Sequence, residues 1–115
     1  MRGATTCTQD SKAEIDAKTQ RLVGEMLERN AIAHDDLVSI IFTATDDITA
    51  EFPATAARAL GLGDVPLLCA RELAIGHGMA LTIRVMMHFY GDQPRGELHH
   101  VYLEGARSLR DDLPV

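Results

Sequence analysis

Lysine is nearly missing from this 115-residue chain: Lys12 and Lys18 are the only two, and the other nine basic residues are arginines. Positive charge is short overall, with 17 acidic residues against 11 basic and a net charge of -6. That balance excludes a nonspecific nucleic-acid binder, which needs a basic footprint. Cysteine is scarce as well. Cys7 and Cys69 are too few and too scattered for a disulfide framework or a metal knuckle. No run approaches the roughly 20 apolar residues that span a bilayer. Met1-Arg2-Gly3 leads into polar residues rather than the apolar core of a signal peptide. A soluble cytoplasmic protein with no membrane partner is therefore expected.

A hydrophobic fraction of 46% indicates a folded globular chain. Its length suits one domain over 1–115, with 110–115 as a loose C-terminal tail. Residues 2–8 read as a short strand rich in β-branched side chains. Ser11-Lys12-Ala13-Glu14 fits a capping box, and Ile15, Leu22, Val23, Met26 and Leu27 continue as one apolar stripe to about Asn30. Glu14/Lys18 and Glu25/Arg29 stand four apart in the favourable order. Residues 37–45 form the clearest buried strand, ended by Asp46-Asp47, a solvated turn. Pro53 suits a first helical position, and that helix stops at Gly61 or Gly63. Strands follow over 65–70, 80–90 and 99–103, then a helical turn over 104–110. The order β-α-β-α-β-β-β predicts an α+β domain, a five-stranded sheet with both helices on one face.

Familiar catalytic machinery does not emerge from this pattern. His99 and His100 are adjacent on a strand and face opposite ways, and His34, His77 and His88 fall on separate elements. No His/Cys/Asp set has ligand spacing, so no metal is expected. A nucleophile elbow of the Gly-x-Ser-x-Gly type is missing, and Gly61-Leu62-Gly63 and Gly76-His77-Gly78 are turns rather than phosphate loops. Met86-Met87 reads as core filler.

The arginines remain. Arg84 interrupts Ala80-Leu81-Thr82-Ile83-Arg84-Val85-Met86-Met87-His88-Phe89-Tyr90, the most apolar stretch of the chain. A permanently ionised guanidinium buried there carries a large desolvation cost unless something negative meets it, either a structural carboxylate or a bound anion. Arg2 opens the first strand, Arg58 lies on the short helix, and Arg110 closes the folded part. Tyr102 is a core ring or a hydroxyl donor; Glu72 is a salt-bridge partner or a site residue. The pattern leaves both open.

Several short segments in register resemble one family across essentially the whole chain. They are Arg2-Gly3-Ala4-Thr5-Thr6, Phe52-Pro53-Ala54 with Arg58, and Val65-Pro66-Leu67-Leu68-Cys69-Ala70-Arg71-Glu72. Ile83-Arg84-Val85-Met86, His100-Val101-Tyr102-Leu103-Glu104 and Leu109-Arg110 continue the likeness. The chain resembles the monofunctional chorismate mutases of the trimeric α/β-barrel class, as distinct from the all-helical class. The resemblance implies an isomerase of aromatic amino acid biosynthesis that converts chorismate to prephenate, without cofactor, as a homotrimer shaped like a pseudo-barrel with sites between subunits. It also implies roles. Arg2 and Tyr102 would hold the enolpyruvyl carboxylate, and Arg84 would donate to the ether oxygen of the breaking bond. Glu72 and the Cys69 backbone would take the ring hydroxyl, Phe52, Arg58 and Leu109 would line the cleft, and Arg110 would help close it.

The likeness has departures. Only Met1 precedes Arg2, so a short first strand is expected, and Thr55 stands where relatives often carry lysine. Cys69 and Glu72, three apart, would point to opposite faces of a regular strand, unless the strand bends near Ala70-Arg71 or Cys69 acts through its backbone. Two other readings compete: a noncatalytic trimeric module for small carboxylates, and an imine-deaminase-type enzyme. The set Arg2, Glu72, Arg84 and Tyr102 favours the mutase, since a simple binder needs no donor at the ether position.

Overall fold

The long helix forms where a capping residue meets an apolar stripe. In the computed structural model, which describes residues 1–110, α1 spans Lys12–Arg29. Ser11 caps it by accepting the Glu14 amide at 3.2 Å. The reciprocal half of the capping box is not made, because the Glu14 carboxylate accepts instead from the backbone and hydroxyl of Thr8. Glu14 is thereby diverted from Lys18, whose ammonium meets Glu104 at 3.2 Å; the Glu25–Arg29 pair forms as expected, at 2.6 Å. Ile15, Thr19, Leu22, Val23 and Met26 make the buried stripe.

Five strands form one sheet: β1 Arg2–Thr6, β2 Leu37–Ala44, β3 Leu67–Arg71, β4 Thr82–Phe89 and β5 Val101–Tyr102. Their order is β3-β2-β4-β1-β5. β4 runs antiparallel to both neighbours, whereas the outer pairs β1–β5 and β2–β3 are parallel. The second helix, α2, starts with Pro53 at its first position and covers Pro53–Ala57. It ends earlier than expected. Arg58–Leu62 widens into a π-type turn, closed by Gly61 at φ 85, a left-handed conformation that favours glycine. Single 3-10 turns at His34–Asp36 and Arg95–Glu97, too short for a periodic signature, complete the loops.

Both helices cover the same face of the sheet. Leu22, Val23 and Met26 of α1, with Ala54 and Ala57 of α2, pack on Ile40, Phe42, Val85, Met87 and Val101. The closest approach is at Gly3, where a Cβ would lie 2.6 Å from Met26 Sδ and 3.1 Å from the Val101 carbonyl. Met26 can swing aside, but a backbone carbonyl cannot. Gly3→Ala should therefore cost about 1–3 kcal/mol of stability, read as a lower urea midpoint at unchanged m-value. An unaltered midpoint would contradict this packing.

The opposite face is open, and it corrects two expectations about β4. The stretch around Arg84 reads as continuously apolar, yet its burial alternates. Ile83, Val85 and Met87 face the helices, while Arg84, Met86 and His88 lie on the open face. Arg84 is thus not buried, and of the Met86-Met87 pair only Met87 fills the core. Asp46-Asp47 is more than a solvated turn, since Asp47 accepts the Leu81 amide at 2.9 Å and Asp46 lies 3.8 Å from Arg71. The tail expected over Asp111 to Val115 lies outside the described residues.

Candidate active site

Strand register draws a row of side chains straight across the open face. Thr43 on β2 is opposite Arg84 on β4, Arg84 is opposite Ala4 on β1, and Ala4 is opposite Tyr102 on β5. Ala4 is the small member of the row and leaves a hollow between the guanidinium and the phenol. Arg2, one pleat along β1, registers with Met86 and borders the same space. The result is a concavity of about 380 Å³ lined by Arg2, Ala4, Thr43, Glu72, Arg84 and Tyr102, among others.

Glu72 enters from just beyond β3, where its amide donates to the Ala44 carbonyl at 2.9 Å and continues the ladder. Its Oε2 accepts from the Thr43 hydroxyl at 2.8 Å and lies 3.0 Å from Arg84 Nε. Both contacts fall on one carboxylate oxygen, and Oε1 is outside them. Arg84 is held by Nε alone, which leaves the Nη1 and Nη2 edge of its fork without an acceptor among the described residues. The cost anticipated for its charge is met in two ways: a resident carboxylate stands beside it, and its side chain is 46% exposed to the crevice. This is an oriented cation facing open space rather than an ion pair in a sealed core. Thr43, which anchors Glu72, does not stand out in the sequence; only the register that sets it opposite Arg84 reveals it.

The remaining predicted residues form other groups. Leu109 packs against the cluster of Ala4, Tyr102 and Ala106, beside the hollow. Arg110 lines a neighbouring cavity of about 380 Å³ that shares Tyr102 and includes Arg29 and Arg107. Phe52 and Cys69 share a third cavity, about 420 Å³, between the start of α2 and the edge strand β3. Phe52 is 67% exposed there. Arg58 lies exposed on the turn after α2. The structure therefore brings Arg2, Glu72, Arg84 and Tyr102 together within one subunit, and leaves Phe52, Cys69 and Arg58 apart from them.

Cys69 and Glu72 do point to opposite faces, because β3 stays regular through Arg71. The Cys69 backbone is another matter. Ile40 donates to the Pro66 carbonyl and Glu72 donates to Ala44. Even-numbered residues of β3 thus face β2, and alternation turns the amide and carbonyl of Cys69 to the free edge of the sheet. The other cysteine is not a nucleophile: burial, and then Glu14, push the Cys7 thiol up to about 11. Among the described residues no group of three His, Cys, Asp or Glu side chains could hold a metal ion. Nor is any helix among them long and apolar enough to cross a membrane.

Residues 1–113 match the family model described as chorismate mutase type I. The chain belongs to this family. Among its relatives are the chorismate mutase AroH of Thermus thermophilus, 42% identical over 98% of this chain and 93% of that one, and the AroH enzyme of Bacillus subtilis, 41% identical over 100% and 91%. A solved chorismate mutase from Clostridium thermocellum superposes with a TM-score of 0.91 at 45% identity, covering 93% of this chain and 96% of the other.

Proposed function

We propose that the chain isomerises chorismate to prephenate, and that the hollow around Arg84 is the catalytic half of its site. Support comes chiefly from one arrangement: a guanidinium oriented by Glu72 through Nε and presenting its Nη1 and Nη2 edge, with a second arginine and a phenol across the gap. In this rearrangement a C–O bond breaks as a C–C bond forms within one molecule. No nucleophile, cofactor or proton transfer is required. What is required is a compact substrate conformation, and a positive partner for the charge that builds on the ether oxygen. Arg2 and Tyr102 hold the enolpyruvyl carboxylate, Arg84 donates to the ether oxygen, and the unengaged Glu72 Oε1 is available to the ring hydroxyl. A dianionic substrate accounts for arginines gathered locally on an otherwise acidic protein.

The site is completed by a neighbouring copy. The open sheet face exposes Leu68 and Met86 beside the polar row, an apolar surface suited to a like face of another subunit. A homotrimer with sites between subunits would carry the Phe52, Arg58 and Cys69 group of one copy to the Arg84 hollow of the next. The enzyme acts in the cytoplasm on a small-molecule substrate, and its free cysteines agree with that setting.

The direct test is the loss of chorismate absorbance with purified protein, alongside solution mass from light scattering. Binding without turnover would favour the carboxylate-binding module. Because no group transfers a proton in the chemical step, kcat should be flat across the neutral and mildly alkaline range. A bell-shaped kcat profile that survives replacement of every histidine near the hollow would argue for an acid–base enzyme instead.

A further inference from the structure

The β4 side of β1 is pinned at its start by the Met1–Met87 backbone pair, but on the other side strand β5 has only two residues, few to hold Tyr102 and the β5-facing backbone of Arg2 in place. Side chains supply the rest. At its entrance the buried Asn30, which ends α1, grips the backbone of His99 from both sides: Oδ1 accepts the His99 amide at 2.7 Å, and Nδ2 donates to its carbonyl at 2.9 Å. The next residue, His100, is buried, and its Nδ1 accepts the backbone amide of Arg2 at 3.1 Å. Gly3 and Val101 are the first registered pair between β1 and β5. The imidazole therefore stands one step beyond that pair, where a parallel ladder would otherwise offer a carbonyl.

We infer that His100 is a positioning residue for Arg2: its neutral imidazole, with the proton on Nε2, is the acceptor that seats the Arg2 backbone on its β5 side and so sets how the Arg2 side chain enters the hollow. The inference rests on the reading of Arg2 as a substrate contact. Such a clamp works only while Nδ1 is bare, since a protonated ring would turn an N–H toward the Arg2 N–H. The surroundings favour the neutral form. Burial is the main cause that lowers the His100 pKa below its usual 6.5, followed by the charges of Arg2, the amino terminus and Arg110. His88 and Arg95 border the same cavity wall, and no carboxylate among the described residues lines that cavity to offset them. With a depressed folded pKa, the stabilising contribution of His100 is fully present above pH 6.5 and fades as pH falls through the folded value. The amide–imidazole bond should be lost in that same acid window, and the alignment of Arg2 toward the hollow with it.

Asparagine is the informative replacement, because its Oδ1 hangs from Cγ just as the histidine Nδ1 does, and it does not titrate. His100→Ala should lower kcat/KM about tenfold to a hundredfold. The unmodified protein should show an acid-side fall of kcat/KM below pH 6.5; His100→Asn should recover most of the alanine variant's loss and should also remove that fall. In an Arg2→Ala background, His100→Ala should add little, because the residue it positions is already gone. A fully additive double variant, or an unchanged acid limb in His100→Asn, overturns the inference; the latter comparison stands even if His100→Ala fails to fold. An Arg2→Ala variant with undiminished kcat/KM overturns the reading of Arg2 instead.

Discussion

Arg84→Ala is expected to lose at least about 3 kcal/mol of transition-state stabilisation, the effect of removing one donor to a developing oxyanion, or roughly a hundredfold in kcat/KM. The fold should survive it. The Arg84 side chain is half exposed, so its pair with Glu72 contributes little to stability, while Glu72 keeps the Thr43 hydroxyl and the start of its ladder. Catalysis and stability thus separate at this position. Arg84→Lys should fail almost as badly. An ammonium can meet Glu72 or reach into the hollow, but it lacks the fork that lets Nε do the first while Nη1 and Nη2 do the second. Steady-state kinetics on a variant with an unchanged melting midpoint is the measurement, and near-normal turnover in Arg84→Ala would falsify the assignment.

Mixing two dead variants should restore activity. If Arg84 comes from one subunit and Arg58 from its neighbour, Arg84→Ala and Arg58→Ala trimers are each impaired at every site. Co-expressed in equal amounts, they assemble at random, and a site is intact when both of its contributing subunits are sound at the relevant position. That occurs in about a quarter of the sites of a cyclic trimer. The mixture should therefore regain about a quarter of the unmodified activity. Activity no higher than the mean of the two variants would mean that both residues serve one subunit's site, or that Arg58 has no part in it. The separation within one subunit between the Phe52–Cys69 cavity and the Arg84 hollow is the physical motive for the experiment.

Much of the scaffold is legible in the order of residues. The α1 stripe from Ile15 to Met26 follows from apolar spacing, and Pro53 and Gly61 mark the bounds of α2 and its closing turn. The likeness that places the chain among chorismate mutases is also readable in short segments. Errors arise where one side chain has a choice of partners. Glu14 fits a capping box and a pair with Lys18 equally well on the helix, but folding brings Thr8 within reach and the carboxylate goes there. His99 and His100 read as strand, whereas the Asn30 side chain occupies the His99 backbone and the ladder starts at Val101.

What the sequence determined alone is the set of elements, because capping, turn chemistry and periodicity act over a few neighbours along the chain. It determined as well which residue types would carry the chemistry: arginines for an anion, with no histidine or cysteine cluster to compete. Only the tertiary structure decided where those residues point. Arg84 leaves the core for the open face because β4 is registered between β1 and β2 with Ile83, Val85 and Met87 turned to the helices. The same register sets Thr43, Ala4 and Tyr102 beside it, and lets Glu72 reach the guanidinium from beyond the end of β3. Register is a pairing through space. Shifting it by one residue would exchange the two faces, and nothing local to Arg84 distinguishes one outcome from the other.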